Sequence, residues 1–286
     1  MRNHETREIS ELGRPIAESE YVGGKWTAPR PFVSLINEAA PQAGASVCWL
    51  SEDWIARLHK QAAVRYIHGY AFPLNNATSA LIATDKVSTF TLLSDTGVTA
   101  VPHHLVRIPS SGNLAGAADR ALTLVSPPLV VKPCDGAGGL DVYRAESVDD
   151  ARSLIGRLAT RYDALAVCPF EIILNEHRIV MLDNEPQLFF RKELQNQNEW
   201  RHNLRHGAVA VLEESPEVRA DLTAIARRAM QVIGGRFMTV DIIETPTGRK
   251  VLEINGGVTL DRFAAQSPAN RACAVDIYRE AICRCF

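Results

Sequence analysis

The sequence predicts an α+β fold built on antiparallel hairpins, and three stretches carry that prediction. Residues 239–243 and 251–255 are two apolar strands joined by a polar turn containing Pro246 and Gly248. Residues 129–133 form a β-branched run that passes through a glycine-rich loop into Val142-Tyr143, which again reads as strand. Ser215-Pro216 opens a helix, a cap followed by proline at the first position. Its Val218, Leu222, Ile225, Ala229 and Ile233 recur at helical spacing until Gly234 stops it. Hairpins interleaved with single helices make a mixed pattern, with no internal repeat and no low-complexity tract.

The remaining elements follow in chain order. Residues 1–30 are polar, contain Gly23-Gly24 and end near Pro29 and Pro31, which predicts a poorly packed arm. Residues 47–50 read as a short strand. Ser51 then reads as the cap of a helix through Trp54, Ile55 and Leu58, with Glu52 and Asp53 in its first turn. Tyr66 to Phe72 alternates as a strand and stops at Pro73. Residues 31–84 are thus a small α/β segment, too short for a full doubly wound domain. The chain from Asn75 to Lys86 continues into a helix through Thr89, Phe90, Leu92 and Leu93, ended by Gly97. A further helix spans 148–161. Ser147 caps it with Asp150 three residues later, and Val148, Ala151, Leu154, Ile155 and Leu158 form its buried stripe.

Composition narrows the function. A chain of 286 residues holds one large or two modest domains. A formal net charge of −2 gives no nucleic-acid footprint. No 18-residue apolar run predicts a membrane helix, and the polar N-terminus lacks an apolar signal core. The six cysteines form no C-x-x-C pair, so reduced thiols in a cytoplasm are expected. Cys283 and Cys285 have no second ligand pair nearby and read as ordinary terminal thiols.

The chemistry concentrates in two places. Strand side chains alternate, so Glu253 and Asn255 point the same way, and a hairpin brings Asp241 onto that surface. Three hard oxygen donors on one sheet face suit Mg²⁺, which takes one or two carboxylates together with substrate phosphates. The alternative is a half-exposed hairpin with polar residues outward. Lys132 ends its strand just before Gly136, Gly138 and Gly139, where backbone amides approach phosphates closely. The loop matches neither the Walker nor the Rossmann pattern and reads as a hairpin flap over phosphates.

Taken in order, these pieces resemble the ATP-grasp superfamily over residues 75–265. The order is Asp85-Lys86 opening a helix, Val131-Lys132-Pro133 with its flap, Glu176-His177-Arg178, the run from Trp200 to Leu204, Asp241, and Glu253-Ile254-Asn255. The stretch from Trp200 through Arg201, His202 and Asn203 to Gly207 resembles RimK-like glutamate ligases, as do Pro169-Phe170-Glu171-Ile172 and Phe190-Arg191-Lys192. The resemblance implies an ATP-grasp fold, two α+β subdomains gripping ATP, with a reduced N-terminal α/β segment. Residues 85–286 would be the ATP-grasp domain, divided into a flap subdomain near 100–168 and a C-terminal subdomain near 169–286.

It also implies roles. Lys86 and Lys132 would touch the ATP phosphates under Gly136, Gly138 and Gly139. The linker with Phe170 and Ile172 would meet adenine through its backbone, and Glu176 would hold the ribose. Arg178, Arg191 and Lys192 would line the floor toward anionic substrate or phosphate. Arg201 and Asn203 would sit near the γ-phosphate and the acyl centre. Asp241, Glu253 and Asn255 would hold Mg²⁺, two ions with Glu253 bridging. Some relatives carry an arginine two residues before the first metal acid, and here that position is Thr239. The implied activity is a carboxylate–amine ligase working through an acyl phosphate on amino acids or short peptides. The rivals are a small-molecule kinase on this fold and a nucleotide-binding scaffold. Neither nucleic acid nor membrane is an expected partner, and a homodimer stays open.

Overall fold

A computed structural model of the chain describes residues 30–110, 113–196 and 198–286. The arm expected over residues 1–30 lies outside the described residues, except for Arg30. The first element is a helix that the sequence reading missed, α1 (Pro31–Gln42). Its signal was present. Proline occupies the first turn, and Phe32, Leu35, Ile36, Ala39 and Ala40 make one buried stripe.

Strands β1 (Ser46–Leu50), β2 (Ile55–Lys60) and β3 (Ala63–His68) then form an antiparallel three-stranded sheet. The helix expected from Ser51 does not exist. Ser51, Glu52 and Asp53 have φ of 52°, 51° and 63°, a left-handed turn incompatible with an α-helix of L-residues. The turn reverses the chain, and Ala56 and Leu58 alternate inward as strand residues.

Helices α2 (Ala77–Thr84) and α3 (Lys86–Asp95) meet at Asp85. Its extended backbone ends α2, and its carboxylate caps α3 by accepting from the amides of Val87 at 2.9 Å and Ser88 at 3.1 Å. That break places Lys86 at the first position of α3.

The next unit holds β4 (His104–Arg107), α4 (Leu114–Leu122), β5 (Leu129–Pro133), β6 (Tyr143–Ala145), α5 (Val148–Leu158) and β7 (Ala164–Pro169). Its four strands pair antiparallel in the order β4-β7-β5-β6. Both helices bury small and aliphatic side chains with Val106, Leu129, Val131, Leu165 and Val167. Ser147 caps α5 through the amide of Asp150, as its spacing predicts.

A second sheet combines β8 (Asn175–Leu182), β9 (Glu185–Glu193) and β10 (Val209–Leu212) with β11 (Phe237–Thr245) and β12 (Gly248–Asn255), and α6 (Pro216–Ile233) lies between β10 and β11 in sequence. The order is β10-β9-β8-β11-β12. One face packs Ile179, Met238, Val240, Ile242 and Ile254 against α6. The other face is divided. At one end Val180, Leu182, Phe190 and Phe237 share a core with α1 and with α8 (Pro268–Arg284), which follows the short α7 (Asp261–Ala264). Alternation puts Glu176 and Arg178 of β8 on that same face at the opposite end. There the four-stranded sheet closes over them instead, and the site forms between.

Candidate active site

The site is a cleft lined from one side by Val130, Lys132, the flap glycines, Cys168 and Phe170. From the other side it is lined by Glu176, Ile243, Leu252 and Glu253, and Lys86 and the run from Trp200 to Asn203 complete it. One end is apolar. Val101, Val130, Cys168 and Ile243 are buried there, with Val142, Phe170, Ile173, Trp200 and Leu252 packed on them. The rings of Phe170 and Trp200 meet edge-on at 5.4 Å, and the Arg144 guanidinium lies 4.0 Å from the Phe170 ring centre. This is a slot for a flat apolar group, adequate for a nucleobase. Sequence reasoning named Phe170 and missed most of the slot. Leu252 reaches it through a register shift between Asp241 and Ile242, which simple alternation does not reveal. Ile172 turns its side chain to solvent at 65% exposure, leaving only its backbone for a base.

The other end is charged. Lys86 is buried beside the flap, and its Nζ donates to Gly136 O at 2.5 Å and Cys134 O at 3.4 Å. Glu253 Oε2 lies 3.9 Å away. Burial pushes the Lys86 ammonium down from its ordinary value, and Glu253 opposes that shift. Lys132 is 6% exposed and lines the same end. Among the described residues it has no ion pair within 4 Å and no hydrogen bond from its ammonium. Gly138 and Gly139 take φ of 69° and 71°. A Cβ on Gly139 would stand 2.9 Å from Asn203 Nδ2 and 3.1 Å from His206 Nε2, so the close approach itself requires glycine.

Behind the cleft floor sits a buried charge cluster. Arg178 and Asp241 are register partners on β8 and β11. Arg178 Nε and Nη2 donate to Asp241 Oδ1 and Oδ2 at 2.7 and 2.6 Å. Lys192 Nζ, from β9, donates to Asp241 Oδ2 at 2.8 Å and also to Glu176 Oε1. Burial disfavours the charge of Asp241, but Arg178 and then Lys192 outweigh it and hold the carboxyl well below the usual range. Glu176 goes the other way, because burial raises it and Lys192 offsets only part of that.

The hairpin does bring the expected oxygen donors together. Asp241 faces Glu253 across β11 and β12, and Thr239 faces Asn255. Their surroundings differ. Asp241 is fully buried with both oxygens bonded to cations, whereas the Glu253 side chain is 25% exposed and lines the cleft. Asn255 Nδ2 donates to Glu253 Oε1 at 3.4 Å. Among the described residues no cluster of three His, Cys, Asp or Glu side chains has metal-binding geometry. Lys192 was expected on ATP. Its ammonium is instead taken up by Glu176 and Asp241, and it does not line the cleft. Arg178 and Asn255 also lie outside the lining.

Arg201 and Asn203 both line the cleft. Glu199, which the sequence reading did not single out, fixes the Arg201 guanidinium with two bonds of 2.8 Å and accepts its amide at 2.9 Å. Arg201 in turn draws the Glu199 carboxyl down to about 2. Arg191 points away to Glu193. The Thr239 hydroxyl is buried without a partner among the described residues, and its register partner on β8 is Val180, two residues from Arg178.

Comparison with known proteins fits this geometry. The chain is 28% identical over 196 residues to the alpha-aminoadipate–LysW ligase LysX of Sulfurisphaera tokodaii, covering 64% of this chain and 62% of that protein. It is 26% identical over 201 residues to a probable alpha-L-glutamate ligase of Pectobacterium carotovorum, covering 67% and 61%. The chain thus spans about three fifths of the length of these curated relatives. Among solved structures it resembles the D-alanine–D-alanine ligase of Bacillus anthracis, with a TM-score of 0.53 at 15% identity over 73% of this chain and 71% of that one. It also resembles the ATP-grasp ligase PsnB, with a TM-score of 0.50 at 17% identity over 72% and 64%. At these identities the structural likenesses establish the ATP-grasp fold. The family model for the RimK-like ATP-grasp domain matches residues 83–277, and the chain therefore belongs to the RimK-like ATP-grasp family.

Proposed function

We propose that the chain is an ATP-dependent carboxylate–amine ligase that forms an amide or peptide bond through an acyl phosphate, with amino acids or short peptides as substrates. The observation that carries this reading is Lys132, a side chain 6% exposed whose ammonium lines a cleft under a glycine flap with no ion pair or hydrogen bond among the described residues. A cation presented to a largely dry cleft without a partner favours an anion bound beside it. With Lys86 beside it and an apolar slot at the far end, the anion that fits is the polyphosphate of a nucleotide. Relatives named as aminoadipate and glutamate ligases support ligation with amino-acid substrates.

In this reading the slot at Phe170 and Trp200 takes adenine, with the backbone near Ile172 on its edge, and Glu176 takes the ribose. Gly136, Gly138 and Gly139 cover the phosphates. Lys86 and Lys132 neutralise them, and Arg201, aimed by Glu199, faces the transferring phosphoryl group with Asn203. Lys192 acts behind the site by holding Glu176 and Asp241 in place. Most of the catalysis is then positioning and charge. The flap keeps water from the acyl phosphate until the amine arrives.

Glu253 lines the cleft and would hold a hard cation there, with Asn255 beside it, and Asp241 would join only by giving up a bond to Arg178 or Lys192. Magnesium bound there would supply neutralisation of the phosphate charge. The charge that an arginine at position 239 would meet falls to Arg201, which lines the cleft, or to Arg178 behind it. We assign the flap subdomain to residues 100–168 and the C-terminal subdomain to residues 169–286.

Incubation of the protein with ATP and pooled amino acids and dipeptides, read by mass spectrometry, tests the proposal. An amide product with ADP supports it. A stable phosphorylated product points to a kinase, and nucleotide binding without turnover points to a scaffold.

A further inference from the structure

The flap, residues 135–140, hangs between two anchors. At its start the amides of Lys86 and Cys134 tie the chain, to Cys134 O at 3.1 Å and Ala164 O at 3.3 Å. At its end the buried Asp141 carboxylate accepts from the Tyr143 hydroxyl at 3.0 Å, Arg161 Nη2 at 2.8 Å and the Tyr162 hydroxyl at 2.5 Å. Between the anchors, two side chains reach a flap carbonyl. Lys86 Nζ donates to Gly136 O, and His206 Nε2 lies 3.3 Å from Gly139 O.

These two tethers are not equivalent. Lys86 belongs to the phosphate end of the cleft, so a bound polyphosphate competes with Gly136 O for its ammonium. His206 faces no such competition. It ends a short 3-10 turn, Leu204–His206, whose cap is Asn203. The His206 amide donates to Asn203 O at 2.8 Å, and the turn closes at Gly207 with φ of 93°. The ring is therefore fixed to the same segment that presents Arg201 and Asn203. The flap is shaped to it, since Gly139 leaves no room for a Cβ beside the ring and Gly138 lies against the Arg205 stem.

We propose that His206 is a positioning residue that latches the glycine flap onto the Arg201–Asn203 segment and so sets how long a nucleotide stays covered. With its proton on Nε2 the ring donates to Gly139 O, and this hold persists when phosphates draw Lys86 away from Gly136. The inference rests on the nucleotide reading of the cleft and adds a residue to it. A latch of this kind controls both nucleotide escape and water access to a reactive intermediate.

The test uses the whole protein, a fluorescent methylanthraniloyl-ATP as probe, and the variants His206→Ala and His206→Gln. Loss of one hydrogen bond should release the probe about three- to tenfold faster from His206→Ala. His206→Gln, which keeps an N–H donor, should stay near the parent. In the nucleotide-free proteins, hydrogen exchange of the flap amides should accelerate in His206→Ala, while amides of β11 and β12 exchange as in the parent. Unchanged release and unchanged flap exchange would overturn the latch. So would acceleration spread over the whole molecule, or a Gln variant that behaves like Ala. A parent that binds no nucleotide overturns the ligase reading and this role with it. Firm binding with unaltered release in His206→Ala overturns the latch alone.

Discussion

Asp241 and Glu253 sit opposite each other on adjacent strands, yet they belong to electrically different regions. Asp241 lies fully buried in a cluster with Arg178, Lys192 and Glu176, where both of its carboxylate oxygens are bonded to cations. Glu253 looks into the cleft beside Lys86 and Asn255 with part of its surface open. A buried ion cluster contributes order at a high desolvation cost, and removing one member leaves the others stranded. A carboxylate at a cleft wall costs little to keep and is free to meet a ligand. The pair teaches that two acids of one motif divide their labour. One builds the floor, and the other works on it.

The largest effect expected from this contrast is on folding. Asp241→Ala should lose about 3–5 kcal/mol in chemical denaturation, because Arg178 loses both of its hydrogen bonds and Lys192 loses one of its two. Glu253→Gln should change stability by no more than about 0.5 kcal/mol. Equal losses in the two variants would erase the distinction between the regions.

Activity should reverse the ranking. Glu253→Gln should keep the fold and lower ATP turnover about a hundredfold or more, since a bound cation is worth several kcal/mol in such a reaction. Turnover near the parent rate would remove Glu253 from the site.

A smaller effect is expected at the phosphates. Lys132→Ala should weaken a non-hydrolysable ATP analogue by about 1.5–3 kcal/mol, the worth of a hydrogen bond to a charged group. Lys86→Ala should weaken it by the same or less. Calorimetry on both variants decides this, and unchanged affinity in both would dismiss the clamp.

The smallest effect is a pH dependence. Glu199 titrates near 2 in the folded protein, against about 4.3 when unfolded. Its folded value is depressed, so its contribution is complete above about 4.3 and is lost as pH falls through 2. Melting temperatures measured between those limits should fall less steeply in Glu199→Gln than in the parent. Parallel curves would mean that Arg201 does not depend on this clamp.

Much of the cleft-lining half was legible in the sequence because its signals are local. Acids interrupt two apolar strands at 241 and 253, a lysine ends a strand before three glycines, and Ser147 and Ser215 cap helices where their spacing says. The first segment was less legible. Ser51, Glu52 and Asp53 look like a helix start by composition, and only their shared left-handed backbone makes them a turn. Helices α1 and α8 carry local signals too, a proline in the first turn and a run of buried apolar residues. Glu199 could have been noticed as an acid two residues before Arg201. The charge cluster could not be foreseen, because pairing of Lys192 with Asp241 and Glu176 depends on three strands lying side by side. Long-range register, rather than local pattern, decides which acids are sealed and which are open.

Oxygen transfer from the substrate carboxylate to phosphate tests the acyl-phosphate chemistry most directly. An acid that supports ADP formation, labelled with oxygen-18 in its carboxylate, should be incubated with ATP, Mg²⁺ and hydroxylamine in place of the natural amine. A ligase working through an acyl phosphate yields a hydroxamate and one labelled oxygen in the released phosphate. Release of AMP and pyrophosphate, or label retained wholly in the product, would contradict it.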